Sequence, residues 1–261
     1  MIRLIASDMD GTLLEPDGRL PEGVFDVIKR LKELGILFAA ASGRQHDNLY
    51  RLFSPVAQDM CFICENGGLN AVGRDIVSIN PFERATALEI INTLKNYGLD
   101  VLLSGMHCCY TEIGSRAFCD DMVYRLRNTM AIVERLEGVD DTFLKISAYC
   151  ESGIAPFAPR LEEKWGARVN AAISGGQWFD FTVANKGMGV AALMRRYGLN
   201  RDEVAAFGDN GNDASMFRQA GHPFVMQNAD PGLRKPGVRA CEKVLPVLRA
   251  IAEHRGELVI G

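Results

Sequence analysis

Hydrophobic and polar positions along the chain fall into blocks that switch between two periods. Residues 2–7 form a short apolar, β-branched run, the signature of a strand buried on both faces. After a polar loop containing Gly and Pro, Val24, Val27, Ile28, Leu31 and Leu34 recur at helical spacing over 22–34, with Gly35 as C-cap. The same reading predicts a strand over 36–41, a helix over 45–53 and a strand over 60–64. Strands alternating with helices imply a parallel sheet with right-handed crossovers, the first half of a doubly wound fold. The pattern then changes: 69–79 reads as a hairpin, followed by Pro81.

Between about 82 and 182 the expected elements are a helix over 84–97, strands near 101–104 and 107–112, and a helix over 115–128. A strand over 143–149, a Pro-broken helix ending near Trp165, and strands near 167–173 and 177–182 follow. Mixed hairpins and helices predict a separate α+β domain. Alternation resumes at Lys186, with a helix over 186–196, a strand over 204–208, a helix over 211–220 and a strand over 223–227. The fold class is therefore α/β: a Rossmann-like doubly wound parallel core from 1–81 and 183–261, with an inserted α+β cap domain over 82–182.

Composition narrows the partners. Of 261 residues 48% are apolar and 24% charged, ordinary for a soluble globular chain. The net charge of −4, without a run of like charges, lacks the basic stripe that nucleic acid or an anionic membrane requires. It leaves room for an anionic small molecule, because one or two local cations can hold a phosphate inside an acidic protein. Asp8 and Asp10 interrupt the first apolar run too early for a signal peptide, and no apolar stretch is long enough to span a bilayer. A cytoplasmic protein is expected, as a monomer or a weak homodimer. Seven irregularly spaced cysteines agree; Cys61 and Cys64 form a lone C-x-x-C in an apolar run and read as inert core thiols.

Candidate chemistry gathers at the predicted strand ends, where open α/β sheets bind ligands. Asp8-Met9-Asp10-Gly11-Thr12 follows the first strand. Residues i and i+2 of an extended chain point the same way, so Asp8 and Asp10 can face one substrate. One carboxylate can serve as phosphoryl-accepting nucleophile and the other as general acid and base, while Gly11 allows a sharp turn. A lone D-x-D-G is equally a solvated acidic turn. Gly208-Asp209-Asn210-Gly211-Asn212-Asp213 follows a second strand. Two acidic clusters at neighbouring strand ends repel unless a cation lies between them, and hard oxygen ligands suit Mg²⁺. A helix cap needs only one of these polar residues, and the spacing fails as a calcium loop. Ser42-Gly43-Arg44 offers a hydroxyl and helix-start amides to an anion, although Ser is also a common cap. Asn185-Lys186-Gly187 opens a core helix, where an ammonium near Asp8 could neutralise a phosphoryl group; alone, such a lysine is usually solvated.

The four segments in this order resemble the haloacid dehalogenase superfamily, and within it the Cof-type phosphatases with a large inserted α+β cap. The resemblance covers nearly the whole chain, including Cys64-Glu65-Asn66-Gly67-Gly68 and the strand containing Lys145. It implies a Mg²⁺-dependent phosphatase acting on a small phosphorylated metabolite, with sugar phosphates the family's commonest substrates. Asp8 would be the nucleophile, forming an aspartyl-phosphate, and Asp10 the acid/base. Asp8, the Asp10 carbonyl and Asp209 would bind Mg²⁺, with Asp213 orienting metal-bound water. Ser42 and Lys186 would bind the phosphoryl group, with contacts from Asn212 and the backbone of Met9 and Gly43. Arg44 and Asn66 match positions lining the pocket. An aspartate at position 10 favours phosphate monoesters, since ion-transporting members carry Thr there. The segment 230–261 departs from the family pattern, lacking its Asp-Gly run before the last helix.

Two other functions use related residues. A phosphosugar mutase shares the core and a similar cap. A receiver module also uses Asp, Ser/Thr, Lys and Mg²⁺, but its acceptor Asp follows the third strand of a chain about half this length. A phosphate-binding protein without activity would be expected to lack motif residues, and none is missing. In the cap, Trp178 and Asp180 alternate with Phe179 and Phe181, which are expected to pack inward. His46, Asp47 and His107 read as surface residues.

Overall fold

The computed structural model describes residues 1–112, 114–120, 122 and 128–258. In chain order the elements begin β1 (Leu4–Asp8), α1 (Val24–Glu33), β2 (Leu37–Ala41), α2 (His46–Leu52), β3 (Cys61–Cys64), β4 (Leu69–Val72) and β5 (Asp75–Ile79). Then come α3 (Arg84–Asn96), β6 (Asp100–Gly105), β7 (Cys109–Thr111), α4 (Arg116–Asp120), β8 (Met130–Ile132), β9 (Phe143–Tyr149), α5 (Ala158–Trp165), β10 (Asn170–Gly175) and β11 (Trp178–Thr182). The chain ends with α6 (Lys186–Tyr197), β12 (Val204–Gly208), α7 (Ala214–Gln219), β13 (His222–Met226), β14 (Arg239–Cys241) and α8 (Val244–Glu253). These elements form two compact units, Met1–Ser78 with Asn185–Gly261, and Ile79–Ala184.

The first unit is built on an eight-stranded sheet of order β14-β13-β12-β1-β2-β3-β4-β5. From β14 to β3 the neighbours run parallel, and β4 turns back antiparallel on β3. Every residue of β1, β3 and β12 is buried, as expected of strands covered on both faces. That double burial is why these strands read as unbroken apolar runs. Register sets the site: Asp8 pairs with Ala41 and Ser7 with Phe207, so the chain leaves β1, β2 and β12 at one edge of the sheet. Cys61 and Cys64 face the core as free thiols. Burial pushes Cys61 up to about 12 and raises Cys64 well above its ordinary value, so neither forms a thiolate at neutral pH.

The second unit has a six-stranded sheet of order β10-β11-β9-β6-β7-β8. On one face Leu103, Ile146, Phe179 and Phe181 pack against Ile90, Ile91 and Leu94 of α3 and Leu161 and Trp165 of α5. On the other face Trp178 packs with Phe118 and Tyr149. The inward packing of Phe179 and Phe181 follows the period-2 reading. Asp180 does not reach into open solvent, because its carboxylate accepts from Ser147 Oγ at 2.6 Å.

One expected helix opens differently, one is described only in part, and one strand is new. The helix expected over 211–220 opens as a single tight turn over Gly211–Asp213, with α7 following. The cause is the Asp213 carboxylate, which accepts from the backbone N–H groups of Asp209 and Asn210 and winds the turn around itself. The helix expected over 115–128 is present as α4, and residues 121 and 123–127 of that span lie outside the described residues. Strand β8 was not expected: its three residues are too few for a periodic signal, and pairing with β7 creates it. Segment 230–261, read as atypical, forms the edge strand β14 and helix α8. Among the described residues no helix is long and apolar enough to cross a membrane.

Candidate active site

The turn after β1 carries the first two aspartates. Asp8 closes the strand and is buried; the chain then coils through Met9–Leu13, where Gly11 takes φ +84°. Only a residue without a side chain fits at 11: a Cβ there would lie 2.4 Å from Asp209 Oδ2. That close approach brings the turn after β1 against the loop after β12. Thr12 completes the junction, its hydroxyl donating to Asp209 Oδ1 at 3.0 Å.

Lys186 is the hub. It opens α6, which Asn185 caps by accepting from Met188 N–H, and its side chain is 1% exposed. Its ammonium donates to Asp8 Oδ1 at 2.5 Å and to Asp213 Oδ1 at 2.7 Å. The other Asp213 oxygen accepts from Asp209 N–H at 2.9 Å and Asn210 N–H at 3.1 Å. Asp213 is thus a cap as well as a member of the acidic group. Asp8, Asp209 and Asp213 each present a carboxylate oxygen, and these oxygens lie within 4.8 Å of one another.

The electrostatics follow from burial. Desolvation pushes Asp8 up to about 7, Asp213 adds to that shift, and Lys186 opposes it. Burial also raises Asp209, against the Thr12 hydrogen bond, with Asp213 adding to the rise. Lys186 is held above its ordinary value by Asp8 and Asp213, against the cost of its own burial. Three carboxylates face one ammonium, so the ionised group carries two uncompensated negative charges. A divalent cation with a preference for oxygen ligands fits that deficit and donor set.

Around the group stand the anion-binding candidates. Ser42, at the end of β2, is buried, and its Oγ accepts from Arg44 N–H at 3.3 Å. Asp10, whose side chain is 61% exposed, lies outside the Asp8–Asp209–Asp213 group. Its carboxylate is gripped by Arg44, with Nε 3.1 Å from Oδ2 and Nη2 2.5 Å from Oδ1. Met9 is buried, and its carbonyl accepts from Leu14 N–H. Asn212 is exposed, and its carbonyl accepts from Ser215 Oγ. Asn66 lies against Gly43, where an added Cβ would come 3.3 Å from Asn66 Nδ2; Asn66 Oδ1 is buried without a donor.

The sequence analysis named the segment Cys64-Glu65-Asn66-Gly67-Gly68 but not its conformation or its supports. Glu65, Asn66 and Gly67 form a left-handed run with φ of 49°, 55° and 95°. Glu65 N–H donates to the Arg44 carbonyl and Asn66 N–H to the Ser42 carbonyl, which ties this run to the loop after β2. A Cβ at Gly67 would meet the Asn185 carbonyl at 2.3 Å, so the same run abuts the start of α6. Asn70 braces it by donating to the Gly67 carbonyl at 3.0 Å. Thr12 had a signal, lying directly beside the D-x-D-G turn; Asn70 had none.

Residues 5–236 match the haloacid dehalogenase-like hydrolase family. The chain belongs to this family. It is a hydrolase, and relatives that it matches nearly end to end are phosphatases. It is 28% identical over 267 residues to the 5-amino-6-(5-phospho-D-ribitylamino)uracil phosphatase of Escherichia coli, covering 97% of each chain. The pyridoxal phosphate phosphatase of E. coli is 24% identical, with 89% of this chain and 90% of that one aligned. Among solved structures, a protein from Eubacterium rectale superposes with a TM-score of 0.85 at 24% identity, over 96% of this chain and 99% of its own. A haloacid dehalogenase-like hydrolase from Bacteroides thetaiotaomicron gives 0.82 at 20% identity, over 96% and 100%. These likenesses establish the fold: a parallel α/β core in a hydrolase of this family with a second, α+β unit.

Proposed function

We propose that this hydrolase cleaves phosphate monoesters of a small metabolite, a sugar phosphate first among them, by way of a phosphoryl group carried on Asp8. The observation that carries the reading is the position of Lys186, buried and bonded at once to Asp8 and Asp213, with Asp209 beside them. A structural core has no use for three carboxylates around one lysine, since buried charge is costly. A phosphoryl-transfer site has one.

In the proposed reaction an Asp8 oxygen attacks phosphorus as the ester P–O bond breaks. Asp10 gives its proton to the departing alkoxide, then takes one from the water that attacks phosphorus and frees Asp8. Arg44 pairs with the ionised Asp10 before substrate binds and releases it when Asp10 takes up the proton that it will give, while Lys186 and Ser42 bind the transferring group. Contacts from Met9, Gly43 and Asn212 complete the phosphate site, and Asn66 Oδ1 is free to accept from a substrate hydroxyl. Mg²⁺, held by Asp8, the Asp10 carbonyl and Asp209 with Asp213 behind them, would supply positive charge to the phosphoryl oxygens. Residues 1–81 and 183–261 act as the catalytic core and 82–182 as the specificity domain. The net charge of −4 supports small-molecule chemistry rather than nucleic-acid or membrane binding.

Phosphate release from p-nitrophenyl phosphate tests the reading. The wild type should require Mg²⁺, and Asp8→Asn should be inactive in protein that still melts cooperatively. Turnover by Asp8→Asn at the wild-type rate would refute it.

A further inference from the structure

The second unit holds an open-sided cavity of about 300 Å³ between α3 and the end of α5. From α3 it is lined by Glu89, Asn92, Thr93 and Asn96, which share one helix face. Across from them Lys164 and Arg168 flank Trp165. None of these residues has a part in the reaction above.

Trp165 is 1% exposed, and its indole N–H is buried without an acceptor. Such a donor is destabilising and calls for a partner that the side chains do not supply. Two cations lie over the same ring, with Lys164 Nζ 5.4 Å and Arg168 Cζ 5.0 Å from its centroid. Arg168 is paired with Glu89 at 2.8 Å. Among the described residues Lys164 has no carboxylate partner; its Nζ donates to Thr93 Oγ1 at 2.9 Å, and that hydroxyl donates to the Glu89 carbonyl. The lining therefore combines two cations, one carboxylate, two side-chain amides and an unused indole donor. Basic residues near helix C-termini also offset the helix dipole. That accounts for the charges but leaves the indole N–H unexplained.

We infer that this cavity binds a small oxyanion, a carboxylate or a phosphate group, through the Trp165 indole N–H and the positive charge of Lys164 and Arg168. The indole nitrogen is sealed from solvent, so binding requires Lys164, which is exposed, and Arg168, whose side chain is 49% exposed, to move aside. The site is independent of the phosphatase reading and needs no metal.

The chain has two tryptophans, so a ¹⁵N-labelled sample shows two indole N–H resonances, assigned through bonds to their side chains. The full-length protein is titrated with sodium phosphate and, separately, with sodium succinate, using sodium chloride as the ionic-strength control. The inference predicts a saturable shift of the Trp165 resonance with at least one of the two anions, weakened about tenfold or more in Lys164→Met. A shift with phosphate alone assigns a phosphate ligand, and a shift with succinate alone a carboxylate. A resonance that neither anion moves, that chloride moves equally, or that responds undiminished in Lys164→Met overturns the proposal.

Discussion

Replacing Lys186 by methionine removes the ammonium bonded to Asp8 and Asp213 while keeping the side chain's volume. At 2.5 and 2.7 Å, with an effective dielectric of about 20, each contact is worth about 6 kcal/mol before desolvation is subtracted. Desolvating a fully buried ammonium returns a large part of this, and breaking a buried pair from one side typically costs about 3–5 kcal/mol. We expect Lys186→Met to lose that amount of stability in EDTA, because two buried carboxylates are then left facing each other. Adding Asp8→Asn should recover part of the loss, since it removes one of the two charges; coupling between contacting groups runs from about 0.5 to 3 kcal/mol. Saturating Mg²⁺ should also recover stability, about 2.7 kcal/mol at a hundred times its Kd. Urea melts followed by far-ultraviolet circular dichroism measure all four proteins of the cycle. A loss below about 1 kcal/mol in Lys186→Met, with no recovery from Asp8→Asn, would refute the electrostatic account of the site.

Three further outcomes are expected. Gly11→Ala should reduce activity and Mg²⁺ affinity together, since the added methyl would meet Asp209 Oδ2 at 2.4 Å on a backbone of φ +84°; steady-state kinetics across a Mg²⁺ series will show it. Thr12→Val, which deprives Asp209 of its hydroxyl donor, should weaken Mg²⁺ binding about tenfold or more by calorimetry, as supporting hydrogen bonds to ligands commonly do. His46 Nε2–H donates to the Gly73 carbonyl at 2.8 Å, and burial lowers the imidazole pKa below the ordinary 6.5. Its neutral form is favoured in the fold, so its contribution is complete above about pH 6.5 and is lost as pH falls through the lower folded value. His46→Gln should flatten the fall in stability below that pH, measured by urea melts at closely spaced pH values.

The acidic centre was legible because parallel strands impose a simple grammar. Asp8 and Asp209 each follow an apolar run that could only be a doubly buried strand, and such strands deliver their next residues to one sheet edge. Ser42 was legible for the same reason, and Lys186 because it opens the first core helix after the inserted stretch. What stayed hidden was the contact that joins those edges. The left-handed backbone at Glu65 is set by tertiary hydrogen bonds to the loop after β2, and glutamate has no intrinsic preference for it. The second bond of Lys186, to Asp213, depends on how the tight turn before α7 winds, and the sequence suggested a plain helix there. The grip of Arg44 on Asp10 was likewise out of reach, because a pairing between two loops leaves no periodic trace.

The central claim is that phosphorus becomes bonded to Asp8 itself. Mixing the enzyme with a ³²P-labelled sugar phosphate and Mg²⁺, quenching in acid within milliseconds and digesting with protease locates the label. The account predicts radioactivity on the peptide bearing Asp8, lost after hydroxylamine treatment and missing from Asp8→Asn. Full turnover with no label on that peptide at any quench time, or label on a different residue, would contradict it.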